Sequence, residues 1–267
     1  MPESLSIAYG YATHVGLLRT DNQDACGKFP QDGEDGVTQS DEILFVVADG
    51  MGGHQAGQVA STSAVQVIPR WFFSANGDPG RRLRQALEHA NAEVFGRAQQ
   101  DATLRGMGTT CTAMALRDDG AWLAHVGDSR AYRLSHAGME QITTDHTRVQ
   151  ELVRMHVITP EEAAVHPHRH MLQRSLGPMP EIEVDVAGPL PLRDDDRFLL
   201  CTDGLTGISD DVLLRTILEL DPQDASDRLV ELANEEGGRD NVTVMVIHIR
   251  RAGASAPARR LWRLFGV

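Results

Sequence analysis

Residues 43–48, ILFVVA, form an unbroken apolar run rich in β-branched and aromatic side chains, which predicts a buried strand. The run ends at Asp49-Gly50. A carboxylate at the end of a buried strand is costly unless positive charge meets it. Glycines 50, 52 and 53 remove side chains there, so that backbone can come close to a ligand. The pattern recurs. DRFLLCTDG (196–204) runs apolar into Asp203-Gly204, AWLAHVGDSR (121–130) runs into Asp128, and RDNVTVMVIHI (239–249) reverses the order, with Asp240 ahead of the strand. A single such Asp reads as a turn or a helix cap; four of them read as carboxylates gathered along one edge of a core.

Around these strands the periodicity predicts the remaining elements. Residues 5–11 alternate as a strand, RTDNQD (19–24) is a polar loop, and 30–41 is an acidic loop. Apolar positions at helical spacing run from 55 to 73 and again from Leu83 to Ala98, separated by NGDPG (76–80). Strands follow at 106–116 and at 121–134, the latter broken at Gly127-Asp128-Ser129, and 139–143 completes an antiparallel meander. Residues 144–180 hold helical pieces, with a helix start at Thr159-Pro160-Glu161-Glu162, and read as a flap beside the site. Strands at 182–186 and 196–202, helices at 209–219 and 223–235, and a strand at 242–249 close the chain. Two helices in succession without a strand between them argue against a doubly wound sheet. The fold class expected is α+β: a four-layer αββα sandwich of two mainly antiparallel sheets flanked by helix pairs, with a flap insertion. The domain spans 1–250, and 251–267 is a basic amphipathic tail.

Charge narrows the function. A net charge of −13 argues against a general nucleic-acid binder and against a two-metal nuclease, both of which need a basic face. The tail, with five Arg from 250 onward and Leu261, Trp262, Leu264 and Phe265 at its end, departs from this; its own acidic domain, a partner and a membrane surface all stay open as destinations. Cys26, Cys111 and Cys201 form neither a zinc pattern nor a disulfide framework, and Cys111 and Cys201 fit as buried small hydrophobes. No basic segment precedes an apolar one at the start, and no apolar run approaches the ~20 residues of a membrane span, so a cytoplasmic monomer is expected.

Candidate chemistry follows from residue types. Carboxylates beside bare glycine carbonyls suit a hard, oxygen-preferring cation. Arg19 offers a forked donor for an oxyanion, or else a solvated loop pair, and Asp24 could orient a ligating water. His166, His168 and His170 match no common zinc spacing and read as exposed flap residues.

Together, RTDNQD (19–24), VVADGMGGHQAG (46–57), GMGTT (106–110), VGDSRAYRL (126–134), ITTDHT (142–147), CTDGL (201–205) and RDNVTV (239–244) resemble, in order, the PPM (type 2C) metal-dependent Ser/Thr protein phosphatases in their bacterial form. The resemblance implies a two-metal site of Mn2+ or Mg2+, bridged by Asp49 and completed by the Gly50 carbonyl, Asp203 and Asp240, with Asp128 and Asp203 at a third, weaker ion. It further implies Arg19 on phosphate, Asp24 near the metals, and phosphoserine and phosphothreonine in proteins as substrates. Hydrolysis would then proceed by attack of a metal-bridging hydroxide, opposing a bacterial Ser/Thr kinase. Met51 stands where eukaryotic members carry a proposed His general acid, which leaves His54 as the nearest candidate, and His170 stands where many bacterial relatives have Asn. The alternative is a catalytically silent phosphoprotein-binding regulator of the same fold; the full set of carboxylates argues against it.

Overall fold

A computed structural model describes residues 5–31, 41–53 and 55–251. Its two sheets stack face to face. One contains β1 (Leu5–His14), β11 (Val242–Arg251), β10 (Arg197–Cys201), β7 (Arg130–Ser135) and β8 (Gly138–Gln141), in that order. The other runs β2 (Asp24–Phe29), β3 (Glu42–Met51), β5 (Cys111–Arg117), β6 (Gly120–Val126) and β9 (Asp185–Leu190), with the two-residue β4 (Gly108–Thr109) also on β3. All the pairings are antiparallel.

The twofold period of the strands assigns the layers. In β3, Leu44, Val46 and Ala48 point into one core with α1 (Ala56–Ser74) and α2 (Pro79–Gln100), while Phe45 and Val47 point into the core between the sheets. Across that inner layer, Phe198, Leu200, Met245, Ile247 and Ile249 answer from β10 and β11. The alternate residues Leu199, Val242, Val244 and Val246 pack against α5 (Asp210–Glu219) and α6 (Pro222–Glu235). The four layers are thus helix pair, sheet, sheet, helix pair, as the pattern predicts. A Cβ on Gly10 would collide with the backbone of Pro222 and Gln223, so α6 lies directly on β1 at that point.

Three expectations are corrected. β5 and β6 belong to one sheet and β7 and β8 to the other, so residues 127–129 are not an interruption within one meander: the chain crosses between the sheets there. β2 was not anticipated, because Gly27 and Lys28 interrupt its apolar pattern; Lys28 is nonetheless buried, with its ammonium 5.5 Å from the Tyr9 ring centroid. The strand expected at 182–186 begins only at Asp185 and continues to Leu190.

Between β8 and β9 lies the flap, with α3 (Arg148–Arg154) and α4 (Pro160–Ala164). The Thr159 and Glu162 side chains cap α4 reciprocally, as its sequence predicts. The flap's return segment is joined to its root by a Thr147–Leu172 bridge and to β4 by a Thr109–Leu176 bridge. The tail, 252–267, and His54 lie outside the described residues. Among the described residues no helix is long and apolar enough to cross a membrane.

Phe198 is fully buried between the sheets, where little can collapse around a void. Phe198→Ala is expected to cost about 3–5 kcal/mol in urea unfolding, with an unchanged slope; a loss below 1 kcal/mol would contradict the layer assignment.

Candidate active site

The four strand-end carboxylates that the sequence pattern picks out lie at one edge of the sandwich. Asp49 ends the apolar part of β3, Asp24 opens β2 as its direct cross-strand partner, Asp128 sits at the crossing between sheets, Asp203 follows β10 and Asp240 precedes β11. Asp49, Gly50, Asp128, Asp203, Asp240 and Arg19 line one cavity of about 1410 Å³. Asp24 lies behind them, half-buried, with its Oδ1 shut off from solvent.

Hydrogen bonds hold the inner carboxylates in place. The Thr110 hydroxyl accepts from the Asp49 amide at 3.0 Å and lies 2.5 Å from the Ser129 hydroxyl, which ties β3 to the crossing. The Asp49 carbonyl accepts from the Thr110 amide and the Thr109 hydroxyl, both at 2.8 Å. Asp24 Oδ2 accepts from Thr243 at 2.7 Å and Thr202 at 2.9 Å, whereas its Oδ1 is buried with no hydrogen-bond partner. Gly50 admits no side chain: a Cβ there would enter the backbone of Gly57 and Gln23.

Electrostatics follow from this crowding. Burial, opposed by the two threonine hydroxyls and reinforced by Asp203 and Asp240, pushes the Asp24 carboxyl up to about 7. Burial and then Asp203 push Asp128 up to about 7 as well, against the pull of Arg130. Asp49 is raised by burial and by the charges of Asp24, Asp203, Asp128 and Asp240. Arg19 meets this field at the rim, with its guanidinium 2.7 Å from Asp240 Oδ2 and more than half exposed. That hydrogen bond raises the Arg19 pKa, but an exposed pair of this kind contributes at most about 1 kcal/mol. It does not neutralise the interior. His170 on the flap comes within 3.4 Å of Asp203, and its pKa rises for that reason.

A hard divalent cation fits these residues. The donors are all oxygens, an unpartnered buried carboxylate oxygen stands behind them, and like charges raise one another's pKa. The carboxylates stand around the cavity rather than in a closed cage: among the described residues no three His, Cys, Asp or Glu groups are close enough to hold an ion unaided. The His166 and His168 rings lie 5.6 Å apart and tilted on the flap, apart from His170.

A family profile described as Protein phosphatase 2C matches residues 19–243. This chain belongs to the protein phosphatase 2C family. It is an enzyme of the serine/threonine protein phosphatase class. Among its relatives is protein phosphatase PhpP of Streptococcus pneumoniae, 35% identical over 248 residues that cover 91% of this chain and 97% of that protein. The structure of the serine/threonine phosphatase Stp1 from Staphylococcus aureus aligns with a TM-score of 0.83 at 33% identity, covering 94% of this chain and 98% of that one. The catalytic domain of PstP, solved in complex with two manganese ions, aligns with a TM-score of 0.78 at 34% identity, covering 92% of this chain and 100% of that one.

In this type 2C phosphatase the carboxylates depend on uncharged residues that the sequence pattern did not single out. The Asn241 side chain accepts from the Gln23 amide at 2.8 Å and donates to the Val15 and Asp21 carbonyls, both at 2.9 Å. It thereby stitches the Arg19 loop to the start of β11. The one available signal was its place beside Asp240 in RDN. Cys26 and Cys201 are pushed by burial up to about 12 and are unreactive as thiolates.

Asn241→Ala leaves three backbone groups without their partner. Urea denaturation is expected to show a loss of about 1–3 kcal/mol; unchanged stability would mean that the loop does not rely on this side chain.

Proposed function

We propose that the chain hydrolyses phosphoserine and phosphothreonine monoesters in proteins with the help of two divalent cations, Mn2+ or Mg2+, and opposes a Ser/Thr kinase. The observation that carries this reading is the convergence of Asp49, Asp128, Asp203 and Asp240 on one open cavity where burial and mutual repulsion leave negative charge to be offset. Asp49, the Gly50 carbonyl, Asp203 and Asp240 would hold the two ions, and Asp128 with Asp203 a third, weaker one. When bound, such ions supply charge neutralisation for a phosphate dianion and lower the pKa of a water, so that hydroxide is available near neutral pH for in-line attack.

The chain's own residues supply the rest. Arg19, tethered at 2.7 Å to Asp240, stands at the rim, where its fork can donate to two phosphoryl oxygens. Asp24, half-buried and held by Thr202 and Thr243, acts on the ligand set from behind and not on substrate. The wide mouth of the cavity, bordered by Leu172, Gln173 and Ser175 of the flap, admits a side chain still attached to a protein. A silent phosphoprotein-binding regulator is not favoured, because no carboxylate of the set is missing. His54, the candidate general acid, lies outside the described residues.

Purified protein is expected to hydrolyse a phosphothreonine peptide with Mn2+, to lose this in EDTA, and to melt at higher temperature with Mn2+ present. Turnover that persists in chelator would overturn the reading. Asp203→Asn is expected to lower kcat at least about 100-fold with an unchanged circular dichroism spectrum, since partners one bond further out already cost about 10–100-fold. Near-wild-type kcat in that variant would exclude Asp203 from the site.

A further inference from the structure

The turn that carries Asp128 has an unusual support. Gly127 has φ +115°, in the left-handed region, and a Cβ there would strike the Thr110 side chain. Both polar backbone groups of this glycine are bound to a single residue. Its carbonyl accepts from the His146 amide at 2.7 Å, and its amide donates to His146 Nδ1 at 3.1 Å. The second bond fixes the tautomer. Nδ1 accepts and so carries no proton; Nε2 therefore carries it, and it faces Asp185 Oδ2 at 3.1 Å.

His146 also reaches the flap. Its carbonyl accepts from the Gln173 amide at 2.8 Å, and Gln173 borders the catalytic cavity. Asp185 is itself held from the flap's return segment, with Oδ1 accepting from Arg174 at 2.9 Å. Behind the ring packs His125, with centroids 4.8 Å apart, buried and hydrogen-bonded through Nδ1 to Thr112 at 2.9 Å. One residue thus joins three parts: its ring ties the turn bearing Asp128 to β9, and its carbonyl holds the flap.

We propose that His146 is a positioning residue that sets the Asp128 carboxylate by clamping Gly127 from both sides, with Asp185 locking the ring in the tautomer this requires. His146 touches no substrate. Its effect on the reaction passes through Asp128 and rests on the reading of Asp128 as a ligand for a divalent cation. A side-chain acceptor at the Nδ1 position is the feature required, because it holds the Gly127 amide in the turn.

Two substitutions separate the halves of the ring. In His146→Asn the amide oxygen can take the place of Nδ1 while the reach to Asp185 is lost. In His146→Gln the reach to Asp185 is kept and the acceptor at Gly127 is lost. Calorimetric titration of the whole chain with MnCl2 alone, using Asp128→Asn to mark the step that depends on Asp128, is expected to show that step weakened about tenfold in His146→Gln and within about twofold of wild type in His146→Asn. The Mn2+ concentration for half-maximal hydrolysis of p-nitrophenyl phosphate should move in parallel, with kcat at saturating Mn2+ changed less. A wild-type isotherm in His146→Gln, or equal weakening in the Asn and Gln variants, overturns the proposal. Should His146→Gln fail to fold, Asp185→Ala serves in its place, because it frees the ring without touching Gly127; an unweakened step in Asp185→Ala then overturns it. Hydrolysis that needs no metal, together with an intact Mn2+ titration difference, would instead overturn the proposed function and leave the role of His146 standing.

Discussion

Mutual repulsion among carboxylates held at the end of a closed hydrophobic sandwich is the constraint on which the rest of this structure depends. Asp24 and Asp49 face one another across adjacent strands, and burial raises the pKa of both. A soft or irregular scaffold would relieve such crowding by letting the acids move apart. Here the inner layer of Phe45, Val47, Phe198, Leu200, Met245 and Ile247 keeps the strands in register, and threonine hydroxyls rather than a cation hold the Asp24 carboxylate. Apolar packing and the threonine network thus carry a polar burden that favours a divalent ion. The overall acidity of the chain, −13, has the same sign, so that positive charge on an incoming ion is attracted from a distance.

Fold class and layer order could be read from the chain because the apolar periods are strong. The run from Ile43 to Ala48, its echoes before Asp203 and after Asp240, and the helical stripes after residues 55 and 79 carry enough buried area to place themselves. β2 escaped notice because a lysine and a glycine sit in it, and the burial of Lys28 beside the Tyr9 ring is settled by tertiary packing. The Gly127-Asp128-Ser129 break was visible, but which sheet each flanking strand joins is a tertiary property. Local pattern cannot tell a kink within a meander from a passage between layers.

The site shows the same division. Acids at strand ends are conspicuous because burying charge is expensive, so Asp49, Asp128, Asp203 and Asp240 stood out. Their supports did not: Thr110, Thr202, Thr243 and Asn241 are ordinary polar residues whose roles exist only once distant segments meet. Arg19 was anticipated on a loop, but not that its ion pair would be with a residue 221 positions away. His170 read as one of three alternating flap histidines, yet it alone turns toward Asp203.

The passage of the chain between the layers at residues 127–129 gives the site a mixed parentage. Asp24 and Asp49 ride on one sheet, Asp203 and Asp240 on the other, and Asp128 on the link between them. The spacing of the acids is therefore a gauge of how the two sheets lie across their shared greasy seam. A slide of one sheet past the other, whether caused by a mutation in that seam or by a molecule wedged far from the mouth, would open or narrow the gap between acids without touching any of them. Catalysis in such an architecture can be tuned by shear from its back side.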